Sequence, residues 1–358
     1  MTFFLVISAS QCILDTIHWV PESEYSMRCA QIPIGMAEKE LRYLFSLGVV
    51  EKGYRILREG NSLLVPLKSI PEGSFRVVES DPPRRMLVPS PVSEIVKNLA
   101  RLKVNPSEVP RKWIRYGDSM LLRIGGEHRR IIAEEFLRFF DLRAVYRITG
   151  RIEGLFRTPS VELIAGEPGD TVHLENGIYY VFDPERIMFS PGNVNERILM
   201  SKMRIENGKV LDLFAGIGYF SLPLAKYSSA SRVVAYDINP EAVDYLLKSA
   251  LRNGLSGKVQ AAVADSFKVD PQDEFDLVVM GNFQSISLLP RAFGFVKPGG
   301  LVIIHHLVRE DHLSSYREEI LDILRKNGYK ALMIESHRVK SFSPKVWHFS
   351  TTLRKLGQ

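Results

Sequence analysis

The chain has 358 residues, of which 45% are hydrophobic and 25% are charged, so it is long enough for two or three domains and too apolar to be largely disordered. Its two cysteines, Cys12 and Cys29, exclude a disulfide framework and a four-cysteine zinc site, and no apolar run of about 18 residues is present to span a membrane. The net charge of +6 favours a polyanionic partner.

The cysteine usage fits a reducing compartment, and residues 1–14 are apolar without a basic flank or a cleavage site. We therefore expect a cytoplasmic protein with no signal peptide and no membrane association. We also expect a monomer that does not bind DNA.

The N-terminal region divides into three segments. Residues 1–26 differ in character from the residues after them, so two interpretations stay open: an upstream extension that is not native, with Met27 as the functional start, or a poorly ordered arm. Residues 27–79 predict a small domain with a strand at 30–34, a helix at 37–45 and a hairpin at Gly60-Asn61. The proline-rich residues 80–92 predict a linker.

Residues 93–190 mix helical and strand patterns and predict an α+β domain. Residues 131–140 carry an apolar stripe with helical spacing, and Asn176-Gly177 predicts a second hairpin. Between Arg101 and Arg157 there are 13 Lys and Arg residues against 7 Asp and Glu residues, which suits RNA binding. A solvated basic face without a partner would give the same count.

Residues 191–358 alternate strands and helices and predict a doubly wound, Rossmann-like α/β sheet. The helix between the second and third strands is predicted over Pro240–Arg252, and the last strand is predicted to be antiparallel. The predicted strands are 209–213, 232–236, 259–263, 275–280, 301–305, 331–336 and 346–353.

The stretch 210–220 (VLDLFAGIGYF) is the most informative in the chain. An apolar strand ends in Asp212 and runs into a Gly-X-Gly turn and a helix, and a second strand ends in Asp237, 25 residues later. This arrangement is typical of parallel sheets that bind nucleosides at the carboxyl ends of their strands. The alternative is a glycine turn that serves only helix–sheet packing.

These residues resemble the class I S-adenosylmethionine-dependent transferases. Residues 212–218, 237–240 and 264–266 match their first three motifs, and residues 189–197 (FSPGNVNER) are similar to the tRNA-modifying family that acts at position 37. One branch of that family is the guanine-37 N1-methyltransferase. The other, the tRNA wybutosine-synthesising protein 2 family, transfers the 3-amino-3-carboxypropyl group to 4-demethylwyosine.

Several segments resemble the second branch. Gly281-Asn-Phe283 stands where the N1-methyltransferase has Asn-Leu-Pro, and residues 187–197, 111–118, 303–306 and 343–348 are similar to the aminocarboxypropyl branch. Residues 27–78 instead resemble the small N-terminal domain of the archaeal N1-methyltransferase, which contacts the tRNA elbow. The resemblance implies an archaeal enzyme that binds S-adenosyl-L-methionine and tRNA-Phe and releases methylthioadenosine.

The strand-end residues predict the contacts of the adenosine half of the ligand. We expect Asp237 to bind the ribose, unless it only caps the following helix, and Asp265 with Ser266 to read the adenine edge. Gly216 and Gly218 would let the backbone approach the ligand, with Phe214 in the same loop. Asp212 would fix the turn or receive the amino group.

The resemblance implies further roles. Ser190 and Arg197 match cofactor-contacting positions, and Arg197 would pair with the ligand's carboxylate. Glu196 aligns with a general base and Arg157 with an arginine that steadies the target guanine, so both are candidate catalytic residues. The alternative for Glu196 is that the proton is lost to water. His305 and His306 should face opposite sides of a strand, and no spacing around them suggests a metal site.

These observations predict a tRNA aminocarboxypropyltransferase. The alternative enzyme is the guanine-37 N1-methyltransferase, against which the missing Asn-Leu-Pro argues. A third hypothesis, a catalytically silent tRNA-binding protein, is disfavoured by the intact motif acids and glycines.

Overall fold

The computed structural model describes residues 26–71, 75–83, 90–150, 152, 154 and 156–357. By its internal contacts the chain divides into two compact units, residues 1–90 and residues 91–358. The predicted extension 1–26 lies outside the described residues except for Ser26. Among the described helices, none combines the length and the apolar composition that crossing a membrane requires.

The described residues of the first unit form a four-stranded antiparallel sheet and one α-helix, and the strand order is β2-β3-β1-β4. The predicted hairpin at Gly60 is confirmed, since Glu59 pairs with Ser62 across it. Leu44 on the helix is buried in a cluster with Ala30, Ile32 and Val65 of the sheet. The elements are β1 (Met27–Pro33), α1 (Ala37–Ser46), β2 (Leu57–Glu59), β3 (Ser62–Pro66) and β4 (Arg76–Ser80).

The second unit begins with a four-stranded mixed sheet of order β5-β6-β7-β8. The apolar stripe predicted over 131–140 is confirmed as a helix, because Ile132, Ala133 and Phe136 of α3 are buried in one cluster. The elements are α2 (Pro91–Leu99), β5 (Trp113–Tyr116), β6 (Ser119–Leu122), α3 (Arg129–Phe139), β7 (Ala144–Ile148) and β8 (Val161–Gly166).

A two-stranded hairpin follows, made of β9 (Thr171–Glu175) and β10 (Ile178–Phe182). Asn176 and Gly177 at its turn have φ of +48° and +73°. Two consecutive positive φ angles characterise the tight turn that Asn-Gly favours, so the predicted hairpin is confirmed.

A seven-stranded sheet forms the rest, in the order β13-β12-β11-β14-β15-β17-β16. Its first five strands are parallel and β17 is antiparallel to both neighbours, which confirms the predicted doubly wound fold and the antiparallel last strand. The elements are α4 (Val194–Lys202), β11 (Lys209–Asp212), α5 (Ser221–Tyr227), β12 (Arg232–Asp237), α6 (Pro240–Arg252), β13 (Val259–Val263), β14 (Phe275–Met280), α7 (Ser285–Gly294), β15 (Val296–Arg309), α8 (Tyr316–Lys326), β16 (Ala331–Ser343) and β17 (Val346–Lys355).

Both faces of the large sheet are buried along its central strands. Along β14, Leu277 and Val279 join one apolar cluster, whereas Val278 and Met280 join the other. The first cluster also contains Tyr146 of β7, so the smaller sheet shares a core with the large one. The predicted domain boundary between residues 190 and 191 falls inside this compact unit.

The last three strands are longer than predicted. β15 covers Val296–Arg309 where 301–305 was predicted, and β16 continues to Ser343, beyond the predicted end at 336. Both pair along most of their length with β17, whose own residues include buried Ser350 and Thr351. These strands contain polar residues, so a prediction based on runs of apolar residues found only part of their length.

Candidate active site

A cavity of about 410 Å³ lies at the carboxyl ends of β11, β12, β13 and β14. This is the edge where doubly wound sheets bind their ligands, and the volume falls in the usual range for small-molecule sites. Eight of the eleven predicted site residues line it: Arg157, Ser190, Arg197, Phe214, Gly216, Asp237, Asp265 and Ser266. Glu196, Asp212 and Gly218 are not among the lining residues.

Asp237 ends β12 and faces the cavity. Its two carboxylate oxygens accept hydrogen bonds from the backbone N–H groups of Gly216, at 2.7 Å, and Asn239, at 2.9 Å. Burial raises the pKa of Asp237, although these N–H donors oppose the shift. Each carboxylate oxygen keeps a further lone pair, so Asp237 is held in place and can still accept from ligand hydroxyls.

Asp212 ends β11 but faces the protein interior. Its side chain is fully buried, and it accepts hydrogen bonds from the Ser221 hydroxyl at 2.6 Å and the Phe214 N–H at 3.3 Å. Burial raises its pKa to about 6. Of the two interpretations drawn from the sequence, the structure favours the first: Asp212 fixes the turn, and it has no contact with the cavity.

Neither glycine of the turn leaves room for a side chain: a Cβ on Gly216 would lie 2.5 Å from the ring of Tyr219. Both have positive φ, +54° at Gly216 and +93° at Gly218. A Cβ on Gly218 would lie 2.7 Å from Leu222 and 2.9 Å from Leu246. The absence of a side chain at Gly218 therefore serves the packing of α5 and α6 against the sheet, and Gly218 is not among the residues that line the cavity.

The adenine-edge residues follow β13. Asp265 accepts from the Phe267 N–H at 3.1 Å, and its other oxygen lies 3.3 Å from the Lys268 ammonium. Ser266 donates its hydroxyl to the Leu213 carbonyl oxygen, which ties this loop to the glycine turn. Phe214 and Phe267 add apolar surface to the same part of the cavity.

Arg197 is buried and already paired. Its Nε and Nη2 bind the two oxygens of Glu175 at 2.5 and 2.9 Å, and Nη2 also donates to the Ser190 carbonyl at 3.0 Å. The guanidinium lies 4.6 Å from the Phe189 ring centroid. The fork that was expected to hold the ligand's carboxylate is thus occupied by Glu175, so that role would require the ion pair to open.

The two candidate catalytic residues are separated. Arg157 is exposed at the cavity with a φ of +54°. Glu196 points from α4 toward β16, where its Oε1 accepts from His337 Nε2 at 2.8 Å, and its buried Oε2 has no partner among the described residues. The predicted general base is thus not among the residues that line the cavity, and its role stays a prediction.

The adjacent histidines of β15 face opposite sides of the sheet, as predicted. His306 Nε2 lies 2.9 Å from the Thr351 hydroxyl, whereas His305 Nδ1 lies 2.9 Å from His348 Nε2 on β17. Burial lowers the pKa of His306 and of His348 to about 4, and it holds the pKa of His305 well below its usual range. His348 lines the cavity and His305 does not.

Sequence reasoning missed the contribution of the last two strands. Lys340 on β16 pairs in register with His348 on β17, and both residues line the cavity together with Phe283 after β14. Lys340 contacts Ser190 and Asn193, and its strand places it beside His348. Residues 343–348 were noted for their resemblance to the aminocarboxypropyl branch, but neither Lys340 nor His348 was predicted as a site residue. In the described part of the chain, no three His, Cys, Asp or Glu side chains are grouped to hold a metal ion.

Three family models match consecutive parts of the chain. Residues 29–75 match the tRNA methyltransferase 5 N-terminal domain, residues 96–170 the TYW2 N-terminal domain, and residues 171–332 the TRM5/TYW2 methyltransferase domain. The last two models meet at 170/171, at the start of the β9–β10 hairpin.

Similar proteins are found in both branches of the family, the aminocarboxypropyltransferases and the guanine-37 N1-methyltransferases. The tRNA(Phe) (4-demethylwyosine(37)-C(7)) aminocarboxypropyltransferase of Methanocaldococcus jannaschii is 35% identical over 66% of this chain and 95% of its own length. The tRNA (guanine(37)-N(1))-methyltransferase Trm5b of Pyrococcus abyssi is 30% identical over 90% of this chain and 98% of its own.

A solved structure supports the assignment to the same family. The crystal structure of Pyrococcus horikoshii TYW2 in complex with MeSAdo is 29% identical, covers 75% of this chain and all of its own, and gives a TM-score of 0.67. Together with the strand-end site, these matches establish that the chain belongs to the TRM5/TYW2 family of S-adenosylmethionine-dependent tRNA-modifying enzymes.

Proposed function

We propose that this chain transfers the 3-amino-3-carboxypropyl group of S-adenosylmethionine to C7 of 4-demethylwyosine at position 37 of tRNA-Phe, and releases methylthioadenosine. The loop after β14 carries the proposal: it reads Gly281-Asn-Phe283, lines the cavity, and lacks the Asn-Leu-Pro of the methyl-transferring branch. The activities named for the 35% and 33% identical relatives support it.

The lining residues fit S-adenosylmethionine. Asp237 offers a fixed acceptor for the ribose hydroxyls, Asp265 and Ser266 offer polar groups at the adenine edge, and Phe214 and Phe267 offer an apolar wall. The ligand's sulfonium makes the carbons attached to sulfur electrophilic. The protein therefore selects the reaction by deciding which of these carbons faces the nucleophile.

In the proposed reaction a bond forms between C7 and the γ-carbon as the bond from the γ-carbon to sulfur breaks. Sulfur leaves as the neutral thioether, and the proton on C7 is then lost. Because Glu196 faces His337 and not the cavity, we assign that proton to solvent. Arg157 is exposed at the cavity, where we propose that it steadies the target base.

One observation favours the N1-methyltransferase instead. Residues 29–75 match the tRNA methyltransferase 5 N-terminal domain, and the Pyrococcus abyssi methyltransferase aligns over 90% of the chain. A shared tRNA-docking domain accounts for this match without a shared chemistry, because the residues that line the cavity all belong to the second unit.

The identity of the acceptor nucleoside tests the proposal. The full chain is incubated with S-adenosylmethionine and with either tRNA-Phe carrying 4-demethylwyosine or the matched tRNA with unmodified guanine 37. We expect a nucleoside heavier by one aminocarboxypropyl group only in the first digest, measured by mass spectrometry. Appearance of N1-methylguanosine in the second digest would support the alternative enzyme.

A further inference from the structure

Lys340 on β16 extends into the cavity without a carboxylate partner among the described residues. Its ammonium donates to Asn193 Oδ1 at 2.6 Å and lies 3.4 Å from Ser190 Oγ. Both partners are uncharged, and the side chain is only partly exposed. A partly buried ammonium held by neutral groups is stabilised by a further anion.

The other two cations that line the cavity are less suited to bind an anion there. The Arg197 fork is filled by Glu175, and Arg157 is exposed. Burial first, and then Arg157 and Arg197, lower the pKa of Lys340. A bound carboxylate would offset both effects.

The segment 190–193 has a glycine, Gly192, at the position where it packs against the Lys340 side chain. A Cβ on Gly192 would lie 3.3 Å from the Lys340 Nζ and 3.6 Å from its Cδ. Residues 190–193 thus pass close under the lysine, with Ser190 and Asn193 on either side of that glycine. The ammonium is positioned by its neighbours and is not a freely moving surface charge.

We propose that Lys340 binds the α-carboxylate of S-adenosylmethionine. The adenosine ligands follow β12 and β13 on one side of the sheet order, whereas Lys340 comes from β16 at its opposite edge. The assignment deepens the proposed function, since fixing the carboxylate restricts the orientation of the γ-carbon toward C7. Lys340 would thereby help to determine which carbon is attacked.

Equilibrium binding in the absence of tRNA tests this proposal separately from the reaction. Dissociation constants are measured by calorimetry for three ligands: S-adenosylmethionine, its decarboxylated form, and methylthioadenosine, which lacks the whole aminocarboxypropyl group. In Lys340→Met we expect S-adenosylmethionine to bind about 10-fold or more weakly, which is the size of one charge-assisted contact. The other two ligands should bind as they do to the wild-type protein.

Two further variants complete the test. Arg338→Met removes a positive charge from the same strand, where Arg338 stacks on Trp347, and should leave all three affinities unchanged. Lys340→Arg should restore part of the preference for the carboxylate.

Equal weakening of all three ligands in Lys340→Met would overturn the assignment, because it would indicate a general change in the cavity. Unchanged affinity for S-adenosylmethionine would overturn it too, and weaker tRNA binding in that case would point to a phosphate contact. Neither outcome depends on whether the methyl or the aminocarboxypropyl group is transferred.

Discussion

At the scale of single residues, two aspartates at equivalent positions in the sequence pattern, Asp212 and Asp237, have different environments in the structure. Asp212 and Asp237 both end parallel strands beside the glycine turn, but Asp212 accepts only from protein donors while Asp237 lines the cavity. The sequence predicted the location of both. It predicted a ligand role for Asp237 but left two roles open for Asp212, since the orientation of that side chain depends on the path of the turn between Phe214 and Gly218.

Paired substitutions test this difference. Asp237→Ala removes the proposed ribose acceptor and should weaken S-adenosylmethionine binding by about 10-fold or more. Asp212→Ala leaves the buried Ser221 and Phe214 donors unpaired and should lower the free energy of unfolding by about 1–3 kcal/mol. Calorimetry and chemical denaturation measure the two effects, and an unchanged affinity in Asp237→Ala would remove its ribose role.

At the scale of elements, predictions succeeded where local chemistry determines the structure. The Asn176-Gly177 hairpin follows from a turn type that those two residues favour, and α6 begins at Pro240 after an Asn239 that caps its first turn. The three C-terminal strands were predicted too short. They contain polar residues that do not predict strands, and pairing with neighbouring strands stabilises these residues in the sheet. Lys340 lies beyond the predicted end of β16 at residue 336 and was absent from the predicted site. His348 lies within the predicted last strand, but the sequence did not show that this strand reaches the cavity.

His306 of β15 gives this strand region a pH dependence. It is buried against Thr351 and the rings of Tyr316 and Phe349, all of them uncharged, and burial alone lowers its pKa from 6.5 to about 4. Between those values the unfolded chain binds more protons than the folded chain, so the free energy of unfolding falls as the pH falls through this window. His306 contributes up to about 3 kcal/mol of this loss.

His306→Gln keeps a hydrogen-bonding group near Thr351 but cannot titrate. We expect wild type to lose more stability than His306→Gln between about pH 6.5 and about pH 4, measured by denaturant unfolding. The raised pKa of Asp212 acts in the opposite direction, yet it is present in both proteins and cancels in the difference. Identical pH slopes would contradict the assignment.

At the scale of the whole molecule, the two compact units match different family models, although one relative aligns with 90% of the chain. Residues 29–75 match a domain of the methyltransferase branch, whereas the 35% identical aminocarboxypropyltransferase aligns with 66% of this chain and 95% of its own length. The first unit matches the N-terminal domain of a tRNA methyltransferase, and none of its described residues lines the cavity. We therefore propose that the first unit serves tRNA docking.

Deletion of residues 1–90 tests that role. We expect the KM for tRNA to rise more than kcat falls, because contacts to tRNA are lost while the cavity residues remain. The affinity for S-adenosylmethionine should not change, and calorimetry on the truncated protein provides that control. If the KM for tRNA and kcat are the same with and without residues 1–90, the first unit does not serve tRNA docking.

The nucleoside by-product tests the central claim most directly. The full chain is incubated with S-adenosylmethionine and tRNA-Phe carrying 4-demethylwyosine, and the small-molecule fraction is analysed by mass spectrometry. We predict methylthioadenosine, formed in amounts that match the modified tRNA. S-adenosylhomocysteine in its place would mean that the methyl group is transferred, and would contradict the account.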